Sequence, residues 1–254
     1  MKLPKVILQV SASLDGRIAL MPKTTLYSPV PEDLKPFDIL GKEWLFLCEE
    51  VRKLHEPDFL LDGSNMLVSE KDVLKPLPVY AGDRDTLHTD YLPAHIINRS
   101  GRTKWISLVD GKGRYRDAYK AYTHDPSSYI MHLTSHAAPD DYLAFLREEE
   151  IPYIISGEQS VDLKESFSKL HSLLGVKCIL TTSGGRLAGA LLRENLLDEV
   201  NILFNPFLFG GTETPYLFKT SDIDPPYAMP AGLKFVESRL FESGAMWVRY
   251  KVLQ

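Results

Sequence analysis

Two cysteines, Cys48 and Cys178, are all that 254 residues contain. That scarcity excludes a disulfide-stapled scaffold and a metal centre built on clustered thiolates, and it fits a reducing compartment. No run of roughly 18 apolar residues occurs, so no membrane-spanning helix is expected. The first ten residues carry two lysines and a short apolar stretch. Gln9, Ser11, Ser13 and Asp15 interrupt it and no small-residue cleavage site follows, so a secretory leader is not expected either. Basic residues are outnumbered, 29 against 34 acidic, and a net charge of −5 argues against a large sequence-independent nucleic-acid footprint. Familiar catalytic signatures are missing too: no GxGxxG, no Walker A loop, no HExxH and no GxSxG. These absences point to a cytoplasmic protein without nucleic-acid, membrane or metal partners.

What remains is an ordinary globular composition, 44% hydrophobic and 25% charged. The chain is long enough for a sizeable core, and it shows no linker, repeat or low-complexity tract. A single domain over residues 1–254 is expected. Short β-rich runs alternate with stretches of helical period. Val6 to Val10 reads as a strand, Glu43 to Leu54 as a helix with Leu47, Val51 and Leu54 on one face, and Asp58 to Leu61 as a buried strand. Lys104 to Val109 and Tyr129 to Leu133 are further strands, and Asp140 to Glu150 is an amphipathic helix opening after Pro139.

The second half is clearer. Ile151 to Ile155 is a strand, and Val161 to Leu174 a helix stopped by Gly175. Val176 to Leu180 is a strand, Leu187 to Glu194 a short helix, and Val200 to Phe204 a strand. Lys234 to Glu242 and Ala245 to Leu253 form a closing hairpin around Ser243-Gly244. Strand–helix alternation predicts an α/β fold with a mostly parallel mixed sheet, helices on both faces and antiparallel strands only at that hairpin. Residues 80–103 and the Pro-rich stretch Asp222 to Pro230 read as exposed loops.

Candidate chemistry lies at the ends of strands, where open α/β sheets gather their ligands. Thr181-Thr-Ser-Gly-Gly-Arg-Leu187 joins a strand to a helix. Two glycines at a helix N-terminus suit an anion such as a phosphate, but they equally suit close helix–strand packing; spacing alone leaves both readings open. Asp62-Gly-Ser-Asn65 and Ile155-Ser-Gly-Glu158 are two more small, polar strand ends, and Ser13-Leu-Asp-Gly-Arg17 is a fourth. The histidines (55, 88, 95, 124, 132, 136 and 171) lack ligand spacing. His132 and His136 stand four apart, yet Leu133-Thr-Ser135 between them reads as a strand end. Cys48 falls on a helix's apolar face and Cys178 inside a strand, which makes both core residues.

Together these stretches resemble the pyrimidine reductases of riboflavin biosynthesis. The matching pieces are Val6 to Ala19, Asp58 to Ser64, Ile155 to Leu163, Ser183 to Leu192, and Leu197 to Val200 leading into Asn205-Pro-Phe-Leu-Phe-Gly-Gly211. Residues 183–211 carry the most specific match. The resemblance implies a dihydrofolate-reductase-like three-layer fold, a homodimer, and an NADPH-dependent reductase acting on a ribosylamino-pyrimidine 5′-phosphate. It also implies that Ser183, Gly184, Gly185, Arg186 and Leu187 cradle the cofactor's phosphates. Gly63 and Ser64 would contact the cofactor, Ile155, Ser156 and Gly157 would flank it, and Ser13 and Asp15 would line the nicotinamide and substrate side as the catalytic candidates.

Some positions depart from that pattern. Asn65 and Met66 replace the expected Gly-Thr, and Glu70-Lys-Asp72 replaces an Asp-Asp-Pro, so Glu70 is left to supply the carboxylate. Thr182 stands where bacterial members carry a substrate-binding Glu, and Leu54 where a phosphate-binding arginine is expected, with Arg52 nearby. Two charge-assisted substrate contacts are therefore missing. Besides the riboflavin precursor, another pteridine, folate or carbonyl substrate remains open, as does a nucleotide-binding homologue without activity.

Overall fold

The computed structural model describes residues 2–21, 28–37, 41–121, 125, 127–220 and 230–253, and the statements below concern those residues. The Pro-rich stretch expected to be a loop falls almost wholly outside them, as does His124. In chain order the elements are β1 (Lys5–Ser13), α1 (Lys42–His55), β2 (Phe59–Gly63), α2 (Arg84–Leu87), α3 (Ala94–Ile97), β3 (Lys104–Val109) and β4 (Ser128–Thr134). There follow α4 (Asp140–Glu148), β5 (Tyr153–Ile155), α5 (Leu163–Leu174), β6 (Cys178–Thr181), α6 (Gly185–Arg193), β7 (Glu199–Asn205), β8 (Gly232–Leu240) and β9 (Met246–Leu253). Short 3-10 turns occupy Glu32–Phe37 and Ser64–Met66.

The chain divides into two compact units, one built from Met1–Pro4 and Pro57–Ile179, the other from Lys5–Glu56 and Leu180–Gln254. In the first, β2, β3, β4 and β5 lie side by side, every pair parallel. All seven residues of β4 are buried, as a parallel strand covered on both faces requires, Ser128, His132 and Thr134 among them. α4 lays Tyr142, Leu143 and Leu146 into the core beside Leu108, Ile130 and Ile151. Each such side chain contributes about 1.5–3 kcal/mol. α5 begins where the Asp162 carboxylate accepts the Glu165 N–H at 2.8 Å, and stops at Gly175, whose φ of +69° places it in the left-handed region.

The stretch 80–103 is not the plain exposed loop that its composition suggests. Asp83 caps α2, and Leu87 and Ile96 are buried. Tyr91 exchanges two backbone hydrogen bonds with Tyr153, at 2.9 and 3.0 Å, so the segment covers the open side of β5. Two isolated apolar anchors have no periodicity for a sequence reading to detect.

In the second unit β1 pairs with β7 in parallel, and the closing hairpin attaches antiparallel through β9, giving the order β1-β7-β9-β8. The α/β class, mostly parallel pairing and terminal antiparallel hairpin match the expectation. At the start of β7, Glu199 is fully buried. Its carboxylate accepts from His55 Nε2 at 2.7 Å, from Arg249 Nε at 2.7 Å and Nη2 at 3.2 Å, and from Asn201 Nδ2 at 3.1 Å. Lys5 Nζ lies 3.4 Å away. α1, β1, β7 and β9 thus meet on one carboxylate.

Candidate functional site

The turn after β1 is organised by Asp15. Its carboxylate accepts from the Ser13 hydroxyl at 2.5 Å and from the backbone N–H groups of Phe209 and Gly210 at 3.0 and 2.6 Å. Those donors, the Ser13 hydroxyl first, hold the carboxyl well below the usual carboxylate range. A group held so firmly ionised orients its neighbours rather than delivering a proton. Gly16 closes the turn at φ +78°. The chain beyond β7 is then laced to the turn at several points: Leu14 N–H donates to Phe207 O (2.9 Å), Ile18 N–H to Pro215 O (2.9 Å) and Leu217 N–H to Gly16 O (3.1 Å). The Arg17 guanidinium donates to Thr214 O at 3.0 Å, lies 3.6 Å from Asp15 and sits over the Tyr216 ring. In the Asp15→Ala variant the Phe209 and Gly210 amides should exchange faster with solvent; unaltered hydrogen exchange at both would show that Asp15 does not hold this loop.

The second small-residue turn starts α6, two residues earlier than its apolar pattern suggests. The two glycines there do different things. A Cβ on Gly185 would lie 2.0 Å from Tyr216 O, and one on Gly189 would lie 2.3 Å from Lys219 O. Residues 216–219 run across the face of the helix, where Lys219 N–H donates to Gly185 O at 2.8 Å. Packing therefore explains Gly185 and Gly189. Gly184 is exposed, adopts φ −64° and ψ 171°, and would place a Cβ no nearer than 3.6 Å to Ile18 Cδ1. It is the N-cap and, as glycine, brings no side chain of its own to cap the helix. The opening turn of an α-helix has no i−4 carbonyls for its N–H groups, so this end fits an anionic group. Ile18 brings the Asp15 turn beside it.

In the first unit the four parallel strands present their carboxyl ends along one edge: Gly63-Ser64 at the end of β2, Asp110 after β3, Thr134-Ser135 at the end of β4, and Ser156-Gly157 after β5. Gly63, Ser64 and the Ile155–Gly157 turn, expected at strand ends, lie there. Ser156 is fully committed: its hydroxyl donates to Asp162 O at 2.9 Å and shares a 2.5 Å bond with Ser166. Gly157, at φ +71°, has Ser160 O 2.2 Å from where a Cβ would stand, so the turn itself demands glycine. Glu70 is exposed, in a turn where Asp72 accepts the Ser69 N–H at 2.7 Å.

Sequence reasoning missed the group on β3 and β4. Asp110, 2% exposed, accepts from the N–H groups of Arg114 and Tyr115, both at 2.7 Å, and from the Tyr142 hydroxyl at 3.3 Å. Tyr142 also pairs with His132 Nδ1 at 2.7 Å. Burial pushes the His132 pKa down to about 4 and raises that of Tyr142. The available signal was Asp110-Gly-Lys-Gly113, an Asp-Gly turn directly after a strand. Among the described residues no cluster of three or more His, Cys, Asp or Glu is arranged to hold a metal, and no helix is long and apolar enough to cross a membrane.

Parallel strands with polar carboxyl ends, a glycine turn opening a helix and a closing antiparallel hairpin make an α/β fold with a mostly parallel mixed sheet, consistent with the dihydrofolate-reductase-like class that the resemblance implies. The chain belongs to the RibD C-terminal domain family, whose profile matches residues 4–246. It is 24% identical over 221 residues to the 2,5-diamino-6-ribosylamino-4(3H)-pyrimidinone 5′-phosphate reductase of Methanothermobacter thermautotrophicus, covering 87% of this chain and 86% of that one. A protein of the same name from Archaeoglobus fulgidus is 26% identical over 215 residues, 84% of each chain. In fold it is similar to a pyrimidine reductase-like protein from Corynebacterium diphtheriae, with a TM-score of 0.65 and 17% identity over 99% of this chain and 92% of that one.

Proposed function

We propose that this protein is an NADPH-dependent reductase of a ribosylamino-pyrimidine 5′-phosphate, converting the ribosyl to a ribityl side chain in riboflavin biosynthesis. The observation that carries the reading is the start of α6. Gly184 is exposed, has among the described residues only Ile18 near its Cβ position, and opens a helix with no side chain of its own, in a chain of the RibD C-terminal domain family. The names of the archaeal relatives support the substrate class.

In this reading Ser183, Gly184, Gly185, Arg186 and Leu187 hold cofactor phosphate through the dipole and amides of the α6 N-terminus. Gly63, Ser64, Glu70, Ile155, Ser156 and Gly157 are assigned to cofactor binding by resemblance, with Ser156 and Gly157 acting through backbone groups. The cofactor supplies hydride when bound. Ser13 and Asp15 shape the turn beside the reacting carbon, Asp15 as an orienting carboxylate. The chain then works as one reductase domain, in a cytoplasmic homodimer.

The test is NADPH oxidation assayed with the phosphorylated ribosylamino-pyrimidine. Turnover with formation of the ribityl product is expected, and tight NADPH binding without turnover would overturn the substrate assignment. One observation favours a different pteridine or carbonyl substrate: the Arg17 charge is already committed to Asp15 and Thr214 O, and Leu54 stands where an arginine is expected. Oxidation of NADPH by an unphosphorylated substrate but not by the phosphorylated pyrimidine would establish that second reading.

A further inference from the structure

Loop 110–116 carries two arginines whose guanidinium groups grip a single neighbouring stretch of chain. Arg114 donates through Nη1 to the side-chain oxygen of Asn65, and through Nη2 to Val68 O at 3.0 Å and Ser69 O at 2.8 Å. Arg116 donates to Lys75 O at 2.9 Å. The stretch they hold leaves β2 directly after Gly63 and Ser64. It opens with a 3-10 turn in which Leu67 and Val68 N–H both donate to Ser64 O, at 3.0 and 2.9 Å.

The loop is rigid for reasons that lie on its buried side. Asp110 fixes the backbone N–H of Arg114 and of Tyr115. The Thr134 hydroxyl donates to Asp110 O at 3.0 Å. Gly113, at φ +62°, lies against the Tyr142 ring so closely that a Cβ would stand 2.6 Å from it. A guanidinium bonded to several acceptors at once fixes orientation better than a point charge does. Asn65, the residue that replaces an expected glycine, supplies one of those acceptors.

We propose that Arg114 is a positioning residue that holds the Ser64–Ser69 turn in the shape that receives the cofactor. The role rests on the cofactor reading above. It also explains what Asn65 does in this chain: its amide oxygen ties the turn to a buried anchor. An arginine that orders a turn in advance removes an ordering cost from binding. Its loss therefore shows in affinity, while the hydride step, once cofactor is bound, keeps its rate.

The experiment compares wild type with Arg114→Ala, Arg114→Lys and Asn65→Ala. Hydrogen exchange is measured without ligand; NADPH affinity and steady-state kinetics follow. In Arg114→Ala the Leu67 and Val68 amides should lose protection, and the NADPH Kd and KM should rise about tenfold with kcat within about twofold. Arg114→Lys, retaining one donor group, should fall between, and Asn65→Ala should show the smaller effect of losing one acceptor. Unchanged exchange at Leu67 and Val68 overturns the clamp whatever the cofactor does. A fall in kcat with Kd unmoved overturns the positioning role. Wild type that binds no NADPH overturns the cofactor reading and the role built on it, and the exchange data tell that failure from failure of the clamp. Should Arg114→Ala not fold, the exposed Asn65→Ala and the conservative Arg114→Lys carry the same comparison.

Discussion

Glu199→Ala should cost about 3–5 kcal/mol of folding stability, the usual penalty for removing one member of a buried charged network. For a chain of this size that lowers the melting midpoint by roughly 6–20 °C. The cost comes from the donors left behind. His55, Arg249, Asn201 and Lys5 converge on one carboxylate with no exposure, and without it they face each other. Burial opposes ionisation of Glu199, but the hydrogen bonds from His55, Arg249 and Asn201 outweigh it and hold the carboxyl below the usual range. A depressed folded-state pKa gives stability that is complete above the ordinary glutamate value of about 4.3 and is lost as pH falls below it. The isosteric Glu199→Gln, which cannot ionise, should therefore differ most from wild type at neutral pH and converge on it in acid. Denaturant melts at several pH values read this directly. Equal stability at neutral pH, or a gap that widens in acid, would show that the carboxylate does not organise the four elements.

The second large effect separates two adjacent glycines. Gly185→Ala should destabilise by about 3 kcal/mol, because its methyl group would meet backbone 2.0 Å away at Tyr216 O and 3.2 Å away at Lys219 N, neither of which can swing aside. Gly184→Asp should leave the melting midpoint unchanged or raise it, since aspartate is a favoured N-cap and, among the described residues, only Ile18 is near. The same carboxylate would occupy the amides and repel a phosphate, so NADPH affinity should fall on the order of a hundredfold. Melting curves and NADPH titrations of both variants decide the matter. Wild-type affinity in Gly184→Asp would remove phosphate binding from this turn, whereas a fully stable Gly185→Ala would contradict the packing.

This division was only half legible beforehand. Residues 183–185 advertise a glycine turn, but whether a glycine serves a ligand or a neighbour depends on what lies against it, and residues 216–219 are more than thirty positions away. The elements themselves read well wherever period and caps were local: Lys104–Val109 is found at the expected bounds, and α5 ends at Gly175 as expected, though it begins at Leu163, two residues after the expected Val161. Readings failed or fell silent where the determinant was distant. The helices at Arg84 and Ala94 exist because Leu87 and Ile96 find a core. Asp110 passed unread in the sequence, because the Tyr142 hydroxyl that meets it comes from a helix some thirty residues further on. Asp15 was legible as a turn-former; that the amides it binds belong to Phe209 and Gly210 was not.

The chain from Phe207 to Lys219 answers to both turns of the second unit, bonded to Leu14, Asp15, Arg17 and Ile18 on one side and lying across Gly185 and Gly189 on the other. Surface connections ordinarily accept inserted residues with little penalty. This one has no slack to give. Its length is set by two fixed anchorages, so an extra residue anywhere along it would drag on the Asp15 turn and on the mouth of α6 together. A stretch of this unit without helix or strand is thus tightly restricted in length.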